Sequence, residues 1–152
     1  ERFDEVANLI RKSGLSSVRR SSNQICDRHS QVLLGDSMGE LMMYYAAADV
    51  AFVGGSLVNV GGHNLLEPAA LGMPILSGQA VQNAPDVAAM LVAAGGLQLV
   101  ANSDELAARL DELFARPSSR NELGKGALRA MQQNSGALDR LLQIIAKANS
   151  RA

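Results

Sequence analysis

Asp49-Val50-Ala51-Phe52-Val53 runs directly into Gly54-Gly55-Ser56-Leu57-Val58-Asn59-Val60-Gly61-Gly62-His63-Asn64-Leu65-Leu66-Glu67-Pro68. The first five residues read as a short strand with no polar face, and the paired glycines as a loop. Asn64 is placed to cap a helix over residues 65–71, which Gly72 closes. Pro74-Ile75-Leu76 is then a further short strand, ended by Gly78.

The alternation continues outward in both directions. On the N-terminal side, Phe3, Val6, Ala7, Leu9 and Ile10 fall at helical spacing within residues 3–15, and Gly14 ends that helix. The polar stretch 16–30 has room for one short strand and a loop. Gln31-Val32-Leu33-Leu34 predicts a buried strand stopped by Gly35-Asp36, and Ser37-Met38-Gly39-Glu40 opens a helix to about Ala47. Ser37 and Glu40 have capping-box spacing. On the C-terminal side come a helix over 85–94 stopped by Gly95-Gly96, a strand over 97–100, and a helix over 103–115 with Ser103 as its cap. Pro117 ends or restarts that helix, and helices over 121–133 and 136–148 complete a helical tail. Short strands apolar on both faces, alternating with helices, belong to a parallel sheet covered on each side. The expected class is α/β, a doubly wound Rossmann-like sheet.

The chain has 152 residues, 47% apolar and 19% charged, which suits one packed domain over residues 1–152. A net charge of −1 gives no electrostatic case for binding nucleic acid. The single cysteine, Cys26, excludes an internal disulfide, and with only His29 near it and His63 far along the chain no metal constellation has proper spacing. No apolar run approaches the roughly 20 residues of a spanning helix. With no Trp, two Tyr and three Phe, stacking platforms are poorly supplied. The chain opens on Glu1-Arg2-Phe3-Asp4 without an initiator Met, so it reads as a piece of something longer.

Ligands of open parallel sheets bind at the C-terminal ends of the strands. Residues 35–40, 54–67 and 77–83 occupy such ends. The loop 54–67 carries two glycine pairs into a helix start, where exposed N–H groups favour a phosphate, or it is a plain turn. It is neither a Walker loop nor Gly-x-Gly-x-x-Gly. Glu67 is either a capping residue three positions after Asn64 or a carboxylate accepting from two ribose hydroxyls. Glu40 has the same two readings, with capping favoured by Ser37. His63 either has a role in the loop's function or stabilises a turn or faces solvent, and Ser56 lacks the context of a triad. Met38, Met42 and Met43 read as core filling, and Arg19-Arg20 as a solvated pair.

Three ordered segments make the sequence recognisable. Gly35-Asp36-Ser37-Met38-Gly39-Glu40-Leu41, Ala48-Asp49-Val50-Ala51-Phe52-Val53-Gly54-Gly55-Ser56-Leu57 and Gly61-Gly62-His63-Asn64-Leu65-Leu66-Glu67-Pro68-Ala69 closely resemble the Kdo transferases, the 3-deoxy-D-manno-octulosonic acid transferases of lipopolysaccharide assembly. The resemblance spans most of residues 1–96. It implies a GT-B architecture of which this chain is the C-terminal, donor-binding half. It implies transfer of Kdo from CMP-Kdo to a lipid A precursor at the cytoplasmic face of the bacterial inner membrane. Met38, Gly39 and Glu40 match one nucleotide-contacting segment of the family, and Asn64, Leu65, Leu66 and Glu67 a second, with Glu67 on the ribose. The family's catalytic base lies in the N-terminal domain, so no catalytic residue is expected here and no turnover from this chain alone. Neither a metal nor another cofactor is expected. The acceptor and the membrane would be met through the other half.

After Pro74-Ile75-Leu76 the family usually continues with a Gly-Pro-His-like loop and an Asn-Phe pair. Here Ser77-Gly78-Gln79-Ala80-Val81-Gln82-Asn83-Ala84 keeps only Gly78 and Asn83, so no ligand or interdomain role is carried over to that loop. Ser56, Gly61, Gly62 and His63 are likewise left without an assigned contact to the donor. Two other readings stand beside this one: half of a GT-B enzyme acting on a UDP-sugar, transferase or epimerase, and a non-catalytic Rossmann-like interaction domain.

Overall fold

A computed structural model describes residues 2–134, so the helix expected over 136–148 lies outside the described residues. The chain divides into two compact units, Glu1–Tyr44 and Tyr45–Ala152, and each is described by itself.

In the first unit, α1 (Phe3–Lys12) leads to β1 (Ser17–Arg19), a 3-10 turn (Arg20–Ser22) and β2 (Val32–Leu34). Helix α1 begins with Asp4 and Glu5 and ends with Arg11 and Lys12, the charge order that its dipole favours. Gly14, at φ +74°, turns the chain away from it. Strands β1 and β2 pair in parallel, Ser17 opposite Val32 and Arg19 opposite Leu34.

Three expectations fail in this unit. Strand β2 is not buried: it is hydrogen-bonded only to β1, and Leu33 is 47% exposed. The methionines fill no core, because α2 (Leu41–Ala47) carries no buried residue and Met38 is 81% exposed. The arginines are not a solvated pair. Arg19 Nε donates to Asp36 at 2.6 Å and its Nη1 to Asp4 at 2.6 Å, while Arg20 Nη2 reaches Glu40 at 2.9 Å. The Asp36 side chain is 1% exposed and also accepts from the Ser21 hydroxyl at 2.6 Å and the Ser21 N–H at 2.8 Å. These bonds, Ser21 first and then the Arg19 guanidinium, hold its carboxyl well below the usual carboxylate range.

The second unit holds β3 (Ala51–Val53), α3 (Leu66–Ala70), β4 (Ile75–Gly78), α4 (Pro85–Ala93), β5 (Leu97–Val100), α5 (Ser103–Ala115) and α6 (Pro117–Asn134). Its strands are all parallel in the order β3-β4-β5, with Val53 opposite Ser77 and Ser77 opposite Leu99. Successive residues of β4 serve different cores. Ile75 packs with Val53, Leu65, Leu91 and Leu97, whereas Leu76 packs with Leu113 and Leu123. Cover on both faces is why this strand has no polar face. Helix α6 lies tightly over the turns before β4 and β5, where a Cβ on Gly124 or Gly126 would strike the carbonyls of Gly72 or Gly95.

Two helix starts differ from expectation. The cap of α5 is Asn102 rather than Ser103: its extended backbone lets the side chain accept the Glu105 N–H at 2.9 Å. Helix α6 starts at Pro117, four residues before the expected start at 121, because proline's fixed φ and missing N–H suit the first helical position.

Candidate functional site

The chain leaves β3 through Ser56, whose buried hydroxyl donates to the Val53 carbonyl at 2.6 Å and accepts the Gly78 N–H at 2.8 Å. Both its bonds are internal, and it is 1% exposed. It ties the ends of β3 and β4 together and is not available to a ligand. The loop then doubles back. The Gly62 N–H donates to the Gly55 carbonyl at 2.9 Å and the His63 N–H to Gly54 at 3.1 Å, with Gly61 at φ +103° and Gly62 at +76°. These two N–H groups, offered to a phosphate by the sequence, are therefore occupied within the turn.

The helix that follows is shorter than expected. It begins at Leu66, with Leu65 as the cap position and buried in the core, while Asn64 Oδ1 accepts the Leu66 N–H at 3.0 Å. Glu67 is thus the second helical residue rather than the third, one position short of a capping box. Its half-buried carboxylate has no hydrogen-bond or ion-pair partner among the described residues. Its charge does act on Tyr45, whose phenol pKa is raised by burial first and by Glu67 second. Nothing in the sequence marks Tyr45 as a neighbour of Glu67.

The segment after β4 grips this loop. Asn83 Nδ2 donates to the carbonyls of Val60 at 3.3 Å and Gly62 at 3.1 Å, and the Asn83 N–H to Gly61 at 3.2 Å. Gln82 donates to Asn59 at 2.5 Å, and the Ala80 N–H to the Ser56 carbonyl at 3.0 Å. Gly78 and Asn83, the two residues that the divergent segment keeps, are both used in these contacts.

In the first unit, Met38, Gly39 and Glu40 form the turn into α2. Gly39 sits at φ +81°, which breaks any helical path from Ser37, and the Glu40 carbonyl accepts the Met43 N–H at 3.0 Å. Ser37 and Glu40 consequently form no capping box. The Ser37 hydroxyl bonds the Glu40 carboxylate itself, Arg20 joins it at 2.9 Å and the Tyr44 hydroxyl at 3.3 Å. Ser37 first, then Arg20, hold this carboxyl below its ordinary range. Arg20 is the residue that sequence reasoning missed, since only the fold of the unit brings it to a glutamate twenty positions on.

Met38, Gly39 and Glu40 belong to the first unit, and Asn64, Leu65, Leu66 and Glu67 to the second. A cleft of about 400 Å³ between α6 and the turns preceding β3 and β4 lies at the opposite strand ends, and Arg120 there faces Asp49 at 3.7 Å. Among the described residues no group of three or more His, Cys, Asp or Glu is disposed to hold a metal ion. No helix among them is long and apolar enough to cross a membrane.

Residues 19–130 match the family described as Glycosyl transferases group 1. The 3-deoxy-D-manno-octulosonic acid transferase of Haemophilus influenzae is 44% identical over 146 residues, covering 95% of this chain and 34% of that protein. The enzyme of the same name from Bordetella pertussis is 37% identical, again over 95% of this chain and 34% of its own length. The chain therefore spans about a third of the length of these curated relatives. Among solved structures, the C-terminal CMP-Kdo binding domain of WaaA from Acinetobacter baumannii superposes with a TM-score of 0.83 at 33% identity, covering 86% of this chain and 68% of that one. The resemblance read from the three ordered segments is borne out, as are the α/β class and its GT-B affiliation.

Proposed function

The chain belongs to the group 1 glycosyl transferases, and on that premise we propose that it forms the donor-binding half of a Kdo transferase that takes CMP-Kdo. The observation that carries this reading is the Glu67 carboxylate, half-buried and unpartnered among the described residues. It stands on the helix that follows a loop folded back by Gly62 and His63 onto Gly54 and Gly55 at the C-terminal end of β3, the end where such sheets take ligands. A carboxylate in that state suits the paired hydroxyls of a ribose, each of which donates one charge-assisted hydrogen bond. Asn64 and Leu66 would line the same contact, with Leu65 buried beneath them as its anchor. By the family resemblance Met38, Gly39 and Glu40 of the first unit are assigned to nucleotide binding separately, with Glu40 holding that turn through Ser37, Arg20 and Tyr44. The relatives bear the name Kdo transferase and the matched domain is described as binding CMP-Kdo, which supports the donor.

In the proposed reaction an acceptor hydroxyl of a lipid A precursor attacks the anomeric carbon of Kdo with inversion. The bond from that carbon to the phosphate oxygen breaks, CMP leaves with the electron pair, and a base in the N-terminal half takes the hydroxyl proton. Because the Gly62, His63 and Leu66 N–H groups are engaged within the loop, basic side chains outside this loop would stabilise the departing phosphate, without a metal. The base, the acceptor site and the contact with the cytoplasmic face of the inner membrane all belong, in this reading, to that other half. The chain by itself is expected to bind donor nucleotide and not to turn it over.

Titrating the isotope-labelled chain with CMP, and with UMP as control, tests the reading. CMP-selective shifts at residues 38–40 and 64–67 are the expected result. Equal shifts with UMP would move the assignment to a UDP-sugar enzyme, and no shift with either at saturation would leave only an interaction domain.

A further inference from the structure

We infer that Asn83 is a positioning residue for nucleotide binding: it fixes the loop that carries the chain from β3 to Asn64–Glu67. The inference rests on the donor reading above and assigns Asn83 no contact with the donor itself. Three successive carbonyls, those of Val60, Gly61 and Gly62, are bound by this one residue, two through its side-chain amide and one through its own N–H. From the other side Gly54 and Gly55 hold the N–H groups of His63 and Gly62. The loop is thus pinned along both edges, one residue before Asn64.

The fit leaves no slack. Gly61 sits at φ +103°, and a Cβ there would run into the Asn83 amide, so backbone and side chain are matched to each other. Downstream, Leu65 is buried in the core and Asn64 closes on the Leu66 N–H. Buried Leu65, Pro68 and Ala69 anchor α3 itself, so what the pinned loop sets is where Gly62 and His63 deliver Asn64 at the head of the Asn64–Glu67 segment. Asn83 itself is exposed, so its bonds shape a surface loop and add little to the core. An amide is needed here because a carboxylate would set a negative charge against two carbonyl oxygens.

The test uses the full 152-residue chain with Asn83→Ala and Asn83→Asp, and with Gly61→Ala as a change on the other side of the contact. Three quantities are read: the thermal midpoint, amide hydrogen exchange without nucleotide, and the CMP dissociation constant. Expected for the two Asn83 variants is a nearly unchanged midpoint. For all three, exchange is faster at Gly62 and His63 with β3–β5 unaltered, and CMP affinity is weakened about tenfold with its preference over UMP intact. Gly61→Ala also lowers the midpoint through its positive φ. A merely structural Asn83 would lower the midpoint and leave affinity alone, which overturns the inference. Faster loop exchange with unchanged CMP affinity also overturns it while leaving the donor reading standing. Absence of CMP binding by the unsubstituted chain defeats the donor reading, and this inference with it.

Discussion

Glu40 and Glu67 look alike in the sequence and differ in the fold. Each follows, at a spacing of three, a residue able to cap a helix, and neither forms a capping box, because α2 and α3 both start later than expected. Beyond that they part. Glu40 is saturated by Ser37, Arg20 and Tyr44, whereas Glu67 has no polar partner among the described residues. A carboxylate that the fold has already satisfied shapes a turn; one without a partner is the one the donor proposal assigns to a ligand. The same spacing thus produced one carboxylate engaged within its turn and one with no polar partner among the described residues.

That contrast can be broken most directly at Glu67. Glu67→Gln is expected to weaken CMP binding about tenfold to a hundredfold, the worth of charge-assisted bonds to a ribose, with little change in melting temperature. A large fall in melting temperature at unchanged affinity would make Glu67 a structural residue like Glu40. Ser56 supplies the opposite pole in the same unit. Ser56→Ala strands the buried Gly78 N–H, and denaturant unfolding should show a loss of about 1–3 kcal/mol.

Acid should separate the two units. The carboxyls of Asp36 and Glu40 are both held below their unfolded values, so their stabilisation is present above about pH 4 and drains away as pH falls through the folded values. Residues 2–44 are expected to lose structure first on acidification, followed by amide exchange, and Asp36→Asn with Glu40→Gln should flatten that dependence. Arg20→Ala is the mildest change. It is expected to move the Glu40 carboxyl back towards its ordinary range and to cost little stability, since Arg20 is 39% exposed and screened by salt. An unmoved Glu40 titration, read by NMR, would show that Ser37 and Tyr44 suffice.

Strand β4 was legible because it is covered on both faces and so appears as an apolar run, whereas β3 and β5 are less completely covered, with Phe52 37% and Leu99 38% exposed. Helix ends at Gly14, Gly72 and Gly95 were legible for a similar reason, since each needs a positive φ that glycine adopts freely. What stayed hidden was mostly pairing across sequence. Arg19 with Asp36, Arg20 with Glu40, and Asn83 with Val60 and Gly62 join residues 17 to 23 positions apart, and no local pattern announces them. The start of α3 differed by a single residue, enough to turn Glu67 from an expected reciprocal partner into a carboxylate with no partner among the described residues. The identities of the proposed site residues were readable through family resemblance; their state of satisfaction required the fold.

The carbonyls of residues 60–62 and the N–H groups of Gly62 and His63 are engaged before any nucleotide arrives. Ordering a loose backbone costs roughly 1–2 kcal/mol of conformational entropy per residue, and a loop already held gives up little of it on binding. Calorimetry of the chain with CMP should accordingly report an entropy term free of any loop-folding penalty. Even the weak affinity of half a cleft would then measure its contacts rather than the freezing of a disordered segment.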